Sequence, residues 1–323
     1  MRTITLEEHF ATPEFFDGPA RFVKERAEKI GDRYLSVLDR LCDLGDKRLS
    51  EMDAAGIDMQ VLSLSAPGVE QMETAASIDM ARATNDYLAA AIKKHPTRFA
   101  GLAALPTGAP KEAVDELQKR VREGFKGAVV NGHNHGRYLD NQFFWPILEA
   151  AEALNVPVYL HPTPAPKAVS DVSYGGFSPM VSDMLAGGAW GWHIETAVHM
   201  IRIVCGGVFD RFPKLQFVIG HMGEGLPFFF QRLDIIPVAT TKLKKPISAY
   251  LKENVHYTFS GMNYPELFLN LLLQLGSVDR IMFSADYPYQ SMKWARDFLD
   301  QIPASAADKE RIAHGNAERL FKL

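Results

Sequence analysis

Short apolar runs closed by turn or polar residues recur along the chain, and stretches with helical spacing of apolar positions separate most of them. Residues 3–6, 58–65, 99–106, 126–131, 156–161, 214–220, 255–260 and 279–286 read as eight strands. Runs that are apolar at nearly every position fit strands buried on both faces, as in a parallel sheet. Helical spacing predicts helices over 34–43, 46–55, 75–94, 110–123, 144–154, 193–209, 227–233, 264–275, 291–300 and 305–321. Asn85 interrupts the apolar stripe of the third of these. The remainder of 10–45 is irregular, and 162–191 reads as a long loop rich in Pro, Gly, Ser and aromatics. Eight βα units in one chain predict a closed (β/α)8 TIM barrel over residues 1–323. Insertions at about 10–45 and 162–192 would cover its active-site face. A doubly wound open sheet is the alternative, but no Gly-x-Gly-x-x-Gly turn follows the first strand.

Composition narrows the function classes. Apolar residues make up 47% of the 323, enough for one large core. The net charge of −4, without a basic block, argues against nucleic acid as a partner. No apolar run approaches the roughly 20 residues of a membrane helix, so no membrane partner is expected. Residues 1–9 contain no apolar signal core, and Cys42 and Cys205 form no metal or redox spacing, so a cytoplasmic protein with free thiols is expected.

The chemistry centres on Phe217-Val-Ile-Gly-His-Met-Gly-Glu-Gly-Leu-Pro227. An apolar run ends on His221, and Glu224 follows three residues later. A single histidine there could simply cap a strand. The other strand ends change the picture: Glu7 and His9 follow the first strand, Asn131 ends the fourth, His161 the fifth and Asp286 the eighth. In a barrel these ends gather on one face, where such enzymes carry their chemistry. Alternation along a strand puts Glu7 and His9 on one side and Glu8 on the other. Converging carboxylates and imidazoles point to a divalent metal site.

Several runs resemble the metal-dependent amidohydrolase superfamily, and within it the non-oxidative aromatic acid decarboxylases that act on 2,6- or 2,3-dihydroxybenzoate. They are Leu6-Glu-Glu-His-Phe10, Val158-Tyr-Leu-His-Pro162, Glu195-Thr-Ala-Val-His199, the 206–234 segment, Phe283-Ser-Ala-Asp-Tyr-Pro288 and Gly315-Asn-Ala-Glu-Arg-Leu-Phe321. The likeness spans nearly the whole chain, and the 219–227 run is its most specific part. It implies that Glu7, His9, His161 and Asp286 bind one divalent ion, that His221, supported by Glu224, either backs the metal ligands or acts as an acid–base group, and that Arg232 and Asn131 bind or orient the substrate. The strand-four lysine of many hydrolases in the superfamily is missing, so a single metal is expected.

Two carboxylates and two imidazoles suit Mn2+, Zn2+ or Mg2+. An ortho-hydroxybenzoate could chelate such an ion. Asp286 would protonate the ring carbon that bears the carboxylate, and the protonated ring would expel CO2 without an organic cofactor. A hydrolase or hydratase of the same superfamily, with Asp286 as base, is the alternative, and a non-catalytic scaffold is a third. Phe10, Trp190, Trp192, Tyr287 and Tyr289 are candidates for an aromatic pocket, His193 for a substrate contact and His199 for a structural role. Self-association as a homodimer or homotetramer is expected from the apolar loop and the family likeness.

Overall fold

A computed structural model describes residues 1–323, the side chains of Ile30 and Arg33 apart. The apolar runs become eight strands: β1 (Ile4–Phe10), β2 (Met59–Leu64), β3 (Phe99–Ala104), β4 (Gly127–Asn131), β5 (Val158–His161), β6 (Phe217–Ile219), β7 (Val255–Thr258) and β8 (Ile281–Met282). Each pairs in parallel with the next, and a parallel bridge from Leu6 to Ser284 joins the last to the first. Helices connect the successive strands, which makes the fold a (β/α)8 barrel.

Two cores follow from the alternation of side chains. Ile4, Leu6, Met59, Val61, Ala100, Leu102, Val129, Tyr159, Val218 and Met282 fill the barrel, and Ala317 and Phe321 of the last helix plug one end. The opposite faces of the strands pack under the helices, with Leu62, Leu64, Phe99, Val130, Leu160, Phe217 and Phe259 among the buried residues there. Asn85 is buried in that layer. It donates to the carbonyl of Ala104 and accepts from its N–H, both at 2.9 Å, which explains a polar residue in an apolar stripe.

The first strand departs from simple alternation. Ile4 and Leu6 face the barrel interior, and so do Glu7 and the ring of His9. The register slips between Thr5 and Glu8, where Leu6 and Glu7 of β1 face the single residue Val61 of β2. Glu7 takes a left-handed φ of 56° at this bulge. One extra residue inverts the phase of a strand, so Leu6 and the charged Glu7 both point inward. Glu8 points outward, where it accepts from Gln60 at 3.0 Å and from the Ala285 N–H at 2.9 Å.

The sequence and the structure differ most in the two insertions. Residues 10–45 carry the helices Pro13–Asp17 and Arg21–Ile30 in addition to Asp32–Cys42. The expected long loop contains Lys167–Tyr174 and Pro179–Ala186, two helices of 8 residues each. Neither buries a residue, so apolar periodicity could not reveal them. No helix among the described residues is long and apolar enough to cross a membrane.

Candidate active site

Glu7, His9 and His161 are buried at the carboxyl ends of β1 and β5, and their ligand atoms all lie within 4.8 Å of one another. Asp286, on the segment after β8, brings Oδ1 to 3.2 Å from His9 Nε2. Four of the strand-end residues therefore converge on one point. Their atoms are conspicuously short of partners: Glu7 Oε1, both ring nitrogens of His9 and His161 Nδ1 are buried without a hydrogen bond. Orphaned buried polar atoms are costly. A divalent cation would satisfy several of them together.

The electrostatics fit that group. Burial lowers His9 to about 4, against the pull of Glu7. Burial, and then His9, lowers His161 to about 3. Both imidazoles are thus neutral and keep a lone pair for a cation. Burial also pushes Asp286 up to about 7, and a cation alongside would draw it down again. Two carboxylates with two neutral imidazoles form the borderline-hard donor set of a Mn- or Zn-type ion.

A polar layer beneath fixes Glu7. Its Oε2 accepts from Tyr159 and from Ser260, and Thr258 Oγ1 lies 3.4 Å away. Its Oε1 stays free, 3.4 Å from His161 Nε2. Gly220 leaves room for this carboxylate, since a Cβ there would stand 2.3 Å from Oε2. Tyr159, Thr258 and Ser260 escaped the sequence reading, although alternation carries the signal: Tyr159 is two residues before His161, and Thr258 and Ser260 are two apart after an apolar run.

Beside this cluster lies a second one. His221 Nδ1 is 2.8 Å from Glu224 Oε1, and His193 Nδ1 is 2.5 Å from Glu224 Oε2. Burial opposes the charge on His221, but the carboxylates of Glu224 and Glu7 outweigh it and hold the imidazole up at about 10. Burial would raise Glu224, yet His221 and His193 hold it down at about 2. Both oxygens of Glu224 are occupied by imidazole N–H groups. His193, His221 and Glu224 also lie close enough together to hold an ion, but here they are hydrogen-bonded to one another, unlike the partnerless atoms of the first cluster.

The other candidates are placed as follows. Asn131 ends β4 beside His161 in register. Its N–H donates to Glu70 Oε1 at 2.8 Å, and its side-chain oxygen has no partner. Phe10 does not reach the cluster: it turns outward and stacks on Tyr87, with ring centroids 6.2 Å apart. Tyr287 likewise faces away, under the guanidinium of Arg48. Trp190 is exposed, with a relative exposure of 56%. Tyr289 is the aromatic that arrives, its ring 5.4 Å from that of His9 and its hydroxyl 2.6 Å from Ser65 Oγ. Arg232 is exposed on the helix Leu226–Leu233, and within one chain it does not join the cluster. His199 accepts from the Leu139 N–H at 2.9 Å and serves packing.

Arg48 was also missed. It is buried and donates to the His9 carbonyl at 2.6 Å, to the Asp43 carbonyl at 2.8 Å and to Gln60 at 3.2 Å. It thereby ties the end of β1 to the helix Asp46–Ala55.

The chain and its fold are similar to those of known proteins. The family model described as Amidohydrolase matches residues 9–323. Gamma-resorcylate decarboxylase of Polaromonas sp. (strain JS666 / ATCC BAA-500) is 39% identical over 99% of this chain and 98% of its own. Among solved structures, dihydroxybenzoic acid decarboxylase from Polaromonas sp. JS666, with bound manganese and the inhibitor 2-nitroresorcinol, superposes with a TM-score of 0.90. It is 37% identical, over 100% of this chain and 97% of that one. A manganese complex of 5-carboxyvanillate decarboxylase from Novosphingobium aromaticivorans with 4-hydroxy-3-methoxy-5-nitrobenzoic acid reaches a TM-score of 0.92 at 35% identity, over 100% and 96% of the two chains.

Proposed function

The chain belongs to the amidohydrolase family, and we infer that within it this protein is a metal-dependent, non-oxidative decarboxylase of a hydroxylated aromatic acid. The observation that carries the reading is the convergence of Glu7, His9, His161 and Asp286 with their ligand atoms buried and largely unpaired. Full-length relatives and neighbours that are aromatic acid decarboxylases, two of them with manganese bound, support it.

Glu7, His9, His161 and Asp286 would hold one divalent ion, and manganese is our choice because the neighbours carry it. Bound there, it would supply positive charge to grip a carboxylate together with its ortho hydroxyl. The residues do the rest. Asp286 takes a proton from the charged His221 imidazole and delivers it to the ring carbon that bears the carboxylate. The electron pair of the bond from that carbon to the carboxyl group returns to the ring, and CO2 leaves. His221, aimed by Glu224, bonds the phenolic oxygen and relays protons. Asn131, whose side-chain oxygen is free, orients the substrate. A dihydroxybenzoate is the first substrate to try, because the curated relative and one neighbour are dihydroxybenzoate decarboxylases. The insertions at about 10–45 and 162–192 cover the site in this reading, and the working form is a cytoplasmic homodimer or homotetramer.

A product assay tests the proposal. Manganese-loaded protein is mixed with a panel of ortho-hydroxybenzoates, and the products are identified by mass. Loss of CO2 that a chelator and Asp286→Asn both abolish supports the decarboxylase. Turnover of esters, amides or lactones instead would make it a hydrolase.

A further inference from the structure

His193 is the third residue of the helix Gly191–Cys205, and its side chain reaches the turn that follows β6. Its Nδ1 lies 2.5 Å from Glu224 Oε2, while His221 Nδ1 lies 2.8 Å from Glu224 Oε1. One buried carboxylate thus accepts from two imidazoles, one on each oxygen. The two rings meet edge to face, with centroids 4.7 Å apart and planes at 71°. The far nitrogen of His193 is held as well, 3.2 Å from Trp192 Nε1 and 3.0 Å from the Gly188 carbonyl.

This turn needs support from outside. His221, Met222 and Glu224 have φ of 51°, 55° and 56°, and Gly223 and Gly225 have 92° and 79°. Left-handed backbone is unfavourable for residues with a Cβ, and it persists where the surroundings over-determine it. Inside the turn the Gly223 N–H donates to the Gly220 carbonyl at 2.8 Å, and the Glu224 N–H to the His221 carbonyl at 3.3 Å. From outside, Glu7 Oε1 comes no closer to His221 Nδ1 than 3.7 Å, too far for a hydrogen bond. Among the described residues, the bond from His193 to Glu224 is the one side-chain hydrogen bond that ties this turn to another element.

We propose that His193 is a positioning residue: it holds Glu224 Oε2, and through that carboxylate it fixes the aim of the His221 imidazole without touching the substrate. This replaces the substrate contact expected from the sequence, and it rests on the decarboxylase reading of the site. Partners one step removed from the reacting groups typically govern orientation, and small misplacements are costly.

The test compares manganese-loaded wild type with His193→Ala and His193→Asn. In His193→Ala, kcat falls roughly 10–100-fold, the scale seen for outer partners, while KM changes little. The Asn amide N–H stands where the imidazole Nδ1–H stood, so His193→Asn recovers most of the loss. A rise in KM alone, wild-type kcat in His193→Ala, or an equally deep loss in both variants would overturn the proposal. The second readout needs no turnover. Nitrogen-15 histidine NMR of wild type loaded with diamagnetic zinc should show downfield Nδ1–H signals from both His193 and His221. His193→Asn should remove one and keep the other in place, whereas His193→Ala should remove one and shift or broaden the His221 signal. An unmoved His221 signal in His193→Ala contradicts the proposal. If the wild type releases no CO2 from any acid, the decarboxylase reading fails by itself, and the spectra still decide the role of His193.

Discussion

Tyr159 donates its phenolic hydrogen to Glu7 Oε2, and Glu7 Oε1 is left buried without a partner beside His161. One carboxylate is thus divided between a structural oxygen and a ligand oxygen. Tyr159→Phe removes the donor while Ser260 keeps its own bond to the same oxygen. Metal affinity should fall roughly 10–100-fold with little change in the melting temperature of the metal-free protein. A metal titration of the variant checks this, and unchanged affinity would show that Tyr159 is mere packing.

Gly220 is required by space rather than by backbone conformation. Its φ of −82° suits any residue, but a Cβ would stand 2.3 Å from Glu7 Oε2 and 2.9 Å from its Oε1. In Gly220→Ala the Glu7 carboxylate has to move. The variant should fold and bind metal at least about tenfold more weakly, in the range for a disturbed ligand shell. Elemental analysis after dialysis gives the answer directly.

Arg48 is a buried cation that bonds the carbonyl of a proposed ligand residue and covers Tyr287, next in sequence to another. Arg48→Met should cost on the order of 1–3 kcal/mol for each of the buried carbonyls of His9 and Asp43 that it leaves without this donor. Chemical denaturation measures the loss. A stability within about 1 kcal/mol of wild type, as for an exposed ion pair, would contradict the role assigned to Arg48.

Glu70 supplies a pH signature outside the ligand set. Burial raises its carboxyl from 4.5 to about 7, against the Asn131 N–H that it accepts. The native state therefore binds more protons than the unfolded chain between those values. Stability from this group is full below about 4.5 and is lost as pH rises to about 7. Glu70→Gln keeps an acceptor for Asn131 and removes the titration. Relative to wild type it should gain up to about 3 kcal/mol between pH 4.5 and pH 7. Equal differences in denaturation midpoint at pH 5 and pH 8 would rule this out.

The strand ends were legible because burial forces strands to read as apolar runs, so polar residues stand out where each run stops. Glu7, His9, His161, His221 and Asp286 announce themselves in this way. The aromatic candidates failed for a reason that the same physics supplies. Phe10 follows His9 and Tyr287 follows Asp286, and neighbours along an extended chain point in opposite directions. Each was therefore bound to face away from the cluster, while Tyr289 comes back to His9. Illegible from pattern alone were the bulge at Glu7, which depends on pairing with β2, and the role of Arg48, a charged residue whose burial only the packed helices create. His193 was visible as a residue near the site, but its partner Glu224 lies 31 positions away, and only the fold brings them together.

The central claim is that this site protonates an aromatic ring and releases CO2. Its most direct measurement is turnover of 2,6-dihydroxybenzoate in D2O by manganese-loaded protein, with CO2 and the aromatic product both quantified by mass. The account predicts one CO2 for each product molecule, one deuterium at the ring carbon that bore the carboxylate, and neither in Asp286→Asn. A protein that binds manganese at this cluster yet leaves this and every other ortho-hydroxybenzoate intact, while hydrolysing an ester, amide or lactone, would contradict it.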